Sequence, residues 1–332
     1  MVTAIEPVLR EQLLDRRVRL ESAATAFHRP DELTRLLHEV DAALHRMDSG
    51  VFGLCEVCHD PVEPERLLAD PLVRVCLGDL TPREQRALED DLELAAKIQT
   101  GLLPERSQRI DGWEVAYHYQ PAGAVSGDYC DLIKGEDGAL HFVLGDVSGK
   151  GVAASMLMAH LHAMFRTLIS LNLPLEQMVE RASRVFCDST LPTQYATLVY
   201  GRAKPNGEVQ ICNAGHLPPL LVQKGTVTRI DATGLPIGVF CSESFSCTSF
   251  QMQPGDSLFL YTDGFSEGSD LSGQEFGIDR LSLLLQEQKV DSRPGRLLDL
   301  TLGELKTFAR GRAPFDDLTL MAIQRAGSES PV

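Results

Sequence analysis

No uncharged apolar run of about 18 residues occurs in this 332-residue sequence, which argues against a membrane-spanning helix. The opening Met1-Val2-Thr3-Ala4-Ile5-Glu6 has no basic stretch leading into an apolar core, so no signal peptide is expected. Positive charge is scarce: 31 Lys and Arg face 47 Asp and Glu, for a formal net charge of −16. Such a surface repels phosphate backbones, so no general grip on nucleic acid is expected. Internal repeats and long low-complexity segments are also missing. What remains, at 43% hydrophobic and 23% charged, has the composition of a folded chain expected in the cytoplasm.

The length exceeds one comfortable core and predicts about two domains. The eight cysteines divide into two groups. Cys130, Cys187, Cys212, Cys241 and Cys247 are scattered, mostly beside apolar residues. Without a secretion signal they are expected to be reduced and buried as small hydrophobes. Cys55, Cys58 and Cys76 instead crowd one short segment. A Cys-x2-Cys pair followed by the knuckle Cys76-Leu77-Gly78-Asp79 has zinc-ribbon spacing, in which two turns pinch a tetrahedral ion. Asp79 stands where a fourth cysteine belongs. Zinc accepts a carboxylate oxygen, and His59 is the other ligand on offer.

Before this ribbon the pattern predicts a helical hairpin. Val8, Leu13, Leu14, Val18 and Leu20 form one stripe, and His28-Arg29-Pro30-Asp31 breaks it. Leu33, Leu36, Leu37, Val40, Ala43, Leu44 and Met47 form a second stripe that stops at Asp48-Ser49-Gly50. After the ribbon, Thr81-Pro82-Arg83-Glu84 is a helix start with a capping residue, an N1 proline and a glutamate at N3. Leu88, Leu92, Ala95, Gln99 and Leu102 then fall on alternating four- and three-residue steps, with Leu94 and Ile98 alongside. Such a seam suits pairing with a second copy. A helix lying on its own domain is the other reading.

From 106 to 326, strand-like segments at 114–119, 140–144, 196–200, 209–212, 257–261 and 318–323 mix with helices at 152–171, 175–189, 278–287 and 296–310. Four turns bound these strands: Ser126-Gly127-Asp128-Tyr129-Cys130-Asp131, Gly145-Asp146-Val147-Ser148-Gly149-Lys150-Gly151, Tyr261-Thr262-Asp263-Gly264 and Phe315-Asp316-Asp317-Leu318-Thr319. One Asp-Gly turn means little. Four make sense if the strand ends converge, and converging carboxylates are tolerable only around bound cations. Hard oxygen ligands of this kind select Mg²⁺ or Mn²⁺.

Together with Leu94–Pro104, Asn213-Ala214-Gly215-His216 and Thr233-Gly234-Leu235-Pro236-Ile237-Gly238, these motifs resemble the SpoIIE/RsbU branch of PPM-type phosphatases. The resemblance implies an α+β fold, an α-β-β-α four-layer sandwich at 106–326. Ahead of it come a linker and dimerisation helix at 81–105 and a hairpin-plus-ribbon module at 1–80, with a disordered tail at 327–332. It implies a serine/threonine phosphatase using two Mn²⁺ or Mg²⁺ ions on a phosphorylated regulatory protein, such as a STAS-type anti-sigma-factor antagonist.

Asp146 matches the bridging ligand, the Val147 carbonyl its backbone neighbour, Asp263 and Asp316 the first-metal carboxylates, and Asp128 the second-metal acid. Asp131 would neighbour that ion through water, and Asp317 would serve the turn. Lys150 could meet phosphate, and His216 could either help phosphate and leaving group or lock its loop. The segment 31–80 is similar to the zinc-finger end of the DksA/TraR family, from which the fold is carried over and not the action on RNA polymerase. The rival to the enzyme is a non-catalytic adaptor that binds phosphoproteins and docks on transcription machinery through the ribbon.

Overall fold

The computed structural model describes residues 6–7, 9–10, 12–14, 16–18, 30–191, 193–242, 244–287, 293–310 and 316–327. The expected turn residues His28 and Arg29, Phe315 and the tail beyond Gly327 lie outside them. The chain forms two compact units, Met1–Asp91 and Leu92–Val332, and the division falls within one helix.

In the first unit the described residues between 6 and 18 are helical, and α1 spans Pro30–Asp48. Leu9 and Leu13 are fully buried with Val40, Ala43, Leu44 and Met47, the face that the three-to-four spacing selects. Phe52, Cys55, Val62, Leu67 and Cys76 extend the same small core into the cysteine-bearing turns. Below about 100 residues such a core is thin, and a metal crosslink is a common reinforcement. α2 (Pro64–Ala69) closes the ribbon. α3 (Pro82–Leu102) opens with the predicted capping box: the Thr81 amide and hydroxyl donate to Glu84 Oε2, and the Glu84 amide donates to Thr81 Oγ1.

The second unit holds two antiparallel sheets. One has the order β1-β2-β11-β10-β7-β8, where β1 is Ser107–Ile110, β2 Trp113–Gln120, β7 Leu220–Gln223, β8 Thr226–Arg229, β10 Ser257–Tyr261 and β11 Leu318–Arg325. The other has the order β3-β4-β5-β6-β9, where β3 is Tyr129–Lys134, β4 Leu140–Val147, β5 Ala196–Ala203, β6 Glu208–Ala214 and β9 Thr248–Gln251. Strand β11 shows how layers are assigned. Met321 and Ile323 point to one face, with Trp113, Leu132, Phe142 and Leu258 between the sheets. Leu318, Leu320 and Ala322 point to the other face, under two helices.

Those helices are α7 (Ile278–Glu287) and α8 (Pro294–Phe308), which bury Leu281, Leu285, Leu297 and Leu305 on the six-stranded sheet. α4 (Gly151–Ile169) and α5 (Leu175–Ser189) bury Met158, Phe165, Val179 and Phe186 on the five-stranded sheet. The expected α-β-β-α four-layer sandwich is thus present. α4 is also long and apolar enough to cross a membrane, but its apolar face is spent on this core.

One expectation is corrected, and another is narrowed. Four of the scattered cysteines are joined as Cys187–Cys241 and Cys212–Cys247, across 54 and 35 residues, and only Cys130 of that group is free. Neighbourhood in sequence gave no hint, because β6, the end of α5 and the loop before β9 meet only in the fold. The α3 seam also differs from a free pairing stripe. Gln99 is buried, and Leu92, Ala95 and Leu102 are half-buried on the second unit, which leaves Leu88, Leu94 and Ile98 exposed.

Candidate metal centre

The sheet registers bring the aspartates together. Tyr129 at the start of β3 pairs with Gly145 near the end of β4, so Asp128 and Asp146 share one end of their sheet. Tyr261 at the end of β10 pairs with Leu320 near the start of β11, which puts Asp263 and Asp316 together on the other sheet. Asp263 begins the short helix α6 (Asp263–Ser266). Thr262 and Thr319 both donate their hydroxyls to Asp128 Oδ2 and so clip the two sheets together at this end.

Two glycines let the turns close. A Cβ on Gly264 would lie 2.0 Å from the Asp317 carbonyl oxygen, so only glycine lets the Asp263 and Asp316 turns touch. On Gly127 it would sit 3.2 Å from the Val147 carbonyl oxygen and 3.5 Å from Asp146 Oδ1. Asp317 clasps that turn, accepting the amides of Ala122 at 2.7 Å and Gly127 at 2.8 Å.

The result is a pocket of about 510 Å³ whose lining includes Asp146, Val147, Lys150, His216, Asp263, Glu267, Asp316 and Asp317. Its charges strain one another. Burial, then Asp263 and Asp316, push the Asp146 carboxyl up to about 7. Burial and the neighbouring Asp316 raise Asp263, and burial with Asp263 raises Glu267. Asp128 does not line the open pocket. It is fully buried, and burial followed by Asp146 holds it far above the usual carboxylate range. Its Oδ1 has no hydrogen-bond partner, a costly state for a buried oxygen. A cluster of hard oxygens with one orphaned atom fits divalent cations, which would repay both the repulsion and the missing partner.

The remaining expected residues have other duties. Asp131 is fully buried, and Arg166 Nε and Nη2 donate to its two oxygens at 2.8 and 2.7 Å. This bidentate pair replaces the expected water-mediated metal contact, because the β3 pleat turns Asp131 away from Cys130 and toward α4. His216 Nε2 donates to the Tyr261 carbonyl at 3.1 Å, and its Nδ1 accepts the Thr197 hydroxyl at 2.8 Å. With both nitrogens engaged and burial pushing its pKa down to about 4, the ring is neutral and fixes the strand end just before Asp263. Lys150 Nζ lies 2.8 Å from Asp316 Oδ2 at the mouth of the pocket.

Two residues escaped the sequence reading. Glu267 has no motif around it. Gln99 offered a faint signal as the one polar member of the α3 seam. Its side-chain amide donates to the Ser126 carbonyl at 2.7 Å, its oxygen accepts the Ser126 amide at 3.0 Å, and Ser126 Oγ in turn accepts the Asp128 amide.

In the first unit, Cys55, Cys58, Cys76 and Asp79 bring their ligand atoms within 4.8 Å of one another. Asp79 Oδ2 is 3.2 Å from both Cys55 Sγ and Cys76 Sγ, and His59 is not part of the group. Backbone amides of Val57 and Cys76 donate to Cys55 Sγ, as they do around a metal-bound thiolate. Three sulfurs and one oxygen at this spacing fit a tetrahedral zinc ion.

Comparison with known proteins adds independent support. A family model described as Stage II sporulation protein E (SpoIIE) matches residues 136–326, and one described as prokaryotic dksA/traR C4-type zinc finger matches residues 50–78. The chain is 28% identical over 264 residues to Protein IcfG of Synechocystis sp., covering 71% of this chain and 41% of that protein. It is 23% identical over 246 residues to phosphoserine phosphatase RsbU of Bacillus subtilis, covering 73% and 72%. Among solved structures, the RsbU and RsbW domains of Rv1364c from Mycobacterium tuberculosis superpose with a TM-score of 0.58 at 27% identity, covering 69% of this chain and 65% of that one.

Proposed function

Because the chain belongs to the SpoIIE family of PP2C-type phosphatase domains, we propose that it hydrolyses phosphoserine or phosphothreonine on a regulatory protein of the cytoplasm. The orphaned, fully buried Asp128 oxygen behind three mutually repelling pocket aspartates carries this reading, since such a cluster is of use only around cations. We assign two Mn²⁺ or Mg²⁺ ions to it. Asp146, the Val147 carbonyl, Asp263, Asp316 and Asp128 would hold them. Bound there, the ions supply an acidified water and neutralise phosphoryl charge.

The protein's own groups do the rest. His216 and the paired threonines fix the strand ends, so the ligands need no rearrangement. Lys150 stands at the pocket mouth, within reach of an entering phosphate. No side chain need act as nucleophile in a loose phosphoryl transfer.

A phosphorylated STAS-type antagonist is the proposed substrate, in keeping with the phosphoserine phosphatase among the relatives. Zinc held by Cys55, Cys58, Cys76 and Asp79 is the proposed structural ion of the first unit, because soft thiolates and hard carboxylates sort the two metals. Para-nitrophenyl phosphate turnover with Mn²⁺ or Mg²⁺ tests the enzyme. It is expected to vanish with chelator and in Asp146→Asn or Asp263→Asn proteins that remain folded, and turnover that survives either treatment refutes the assignment.

A further inference from the structure

Exposed apolar side chains gather beside the pocket, from Tyr195 in its lining outward, and the metal chemistry does not use them. Val152 and Met156, one turn apart on α4, are 45% and 69% exposed. Leu191 and Tyr195, in the loop after α5, are 56% and 44% exposed, and Val239 and Phe240 are 43% and 57% exposed. Hydrogen bonds and one disulfide bring the segments that bear these six residues together. His160, one turn beyond Met156, bonds Ser189 at the end of α5, which ties the end of α5 to α4. Tyr195 exchanges hydrogen bonds with Ser148 on the metal-bearing turn. Ala196 pairs with Ile237, and the Cys187–Cys241 bridge ties Phe240 to the end of α5. Tyr195 itself lines the pocket, so the patch adjoins the site.

Exposed side chains of this size need a reason when they gather. Outside the cation-holding pocket, a chain of net charge −16 offers little long-range attraction to an acidic phosphoprotein, which leaves apolar contact to hold it. We propose that this patch is the docking surface for the folded phosphoprotein. On this view an uncharged, apolar face of the substrate beside its phosphorylated residue seats on Val152, Met156, Leu191, Tyr195, Val239 and Phe240. The inference rests on the phosphatase reading above and deepens it. Recognition then belongs to the folded surface around the phosphate, and a short phosphopeptide or a small phosphomonoester bypasses it.

The test uses the full chain carrying Met156→Asp and Phe240→Asp, two exposed positions that do not line the pocket. The probes are a serine-phosphorylated STAS domain and para-nitrophenyl phosphate. Expected is a loss of about tenfold or more in kcat/KM for the phosphoprotein, as for apolar anchors at other interfaces, with turnover of the small ester unchanged. Unchanged turnover of both probes overturns the docking surface. Equal loss of both, while Leu283→Asp elsewhere on the surface stays normal, overturns it too, since the patch would then serve the site and not the protein substrate. If the unaltered chain cleaves neither probe, the phosphatase reading fails separately. Calorimetric binding of the phosphoprotein then decides docking alone, with weaker binding by the double variant expected and equal binding refuting it.

Discussion

Removing one pocket carboxylate should make the metal-free protein more stable, against the usual direction for a mutation in a functional site. Asp146 is raised from 3.8 to about 7 by burial and by Asp263 and Asp316. At about 1.4 kcal/mol per decade this corresponds to about 4 kcal/mol at most. Partial exposure of the side chain screens the interaction, and about 2 kcal/mol is the working figure. The sign follows from proton linkage. An acid whose folded pKa is raised holds its proton more tightly in the folded state, so its penalty is absent below pH 3.8. The penalty then grows as pH rises toward about 7 and is complete above that.

Asp146→Asn abolishes this titration while keeping the shape. In chelated samples the variant should unfold about 4–8 °C higher than the parent at pH 8, and the gap should close near pH 4. Mn²⁺ should reverse the order, because binding to the native state stabilises the parent and the variant has lost one proposed ligand. Thermal unfolding with and without chelator at the two pH values measures all four quantities. A variant no more stable than the parent in chelator at pH 8 would refute the claim that these carboxylates repel, and with it the electrostatic case for the ions.

Three further expectations concern the regions around the site. Gln99→Ala leaves the Ser126 amide and carbonyl unpaired inside the protein, at a cost of about 1–3 kcal/mol, and loosens the Asp128 turn. The Mn²⁺ concentration for half-maximal turnover should then rise about tenfold with kcat restored at saturation, and an unchanged Mn²⁺ dependence would show that the contact is only structural. Cys76→Ser should release zinc from the full chain, read by elemental analysis, without altering para-nitrophenyl phosphate turnover, and a parent protein without zinc refutes the site. Homodimerisation through α3 is proposed to use the exposed Leu88, Leu94 and Ile98. Leu94→Asp with Ile98→Asp should yield monomers in ultracentrifugation, and a parent already monomeric at tens of micromolar, roughly where weak dimers form, refutes it.

Local chemistry decided much of this protein. The Thr81-Pro82-Arg83-Glu84 cap, the limits of α5 and α7, the strand at 318–323 and the Cys55, Cys58 and Cys76 knuckles all depend on neighbours within a few residues, and all were legible before the fold. The turns bearing Asp128, Asp146, Asp263 and Asp316 were legible as well, because four aspartate turns at strand ends are more than ordinary turn chemistry needs. The sequence could not say which of those carboxylates would face the pocket. Asp131 differs from Asp128 by three residues, yet one meets Arg166 and the other is clipped by Thr262 and Thr319. The strands β1, β3, β7, β8 and β9 also escaped, as did the bridges Cys187–Cys241 and Cys212–Cys247 and the grip of Gln99 on Ser126. The bridges and the Gln99 contact depend on partners 27 to 54 residues away along the chain, and only packing the two sheets and their helices brings such partners together.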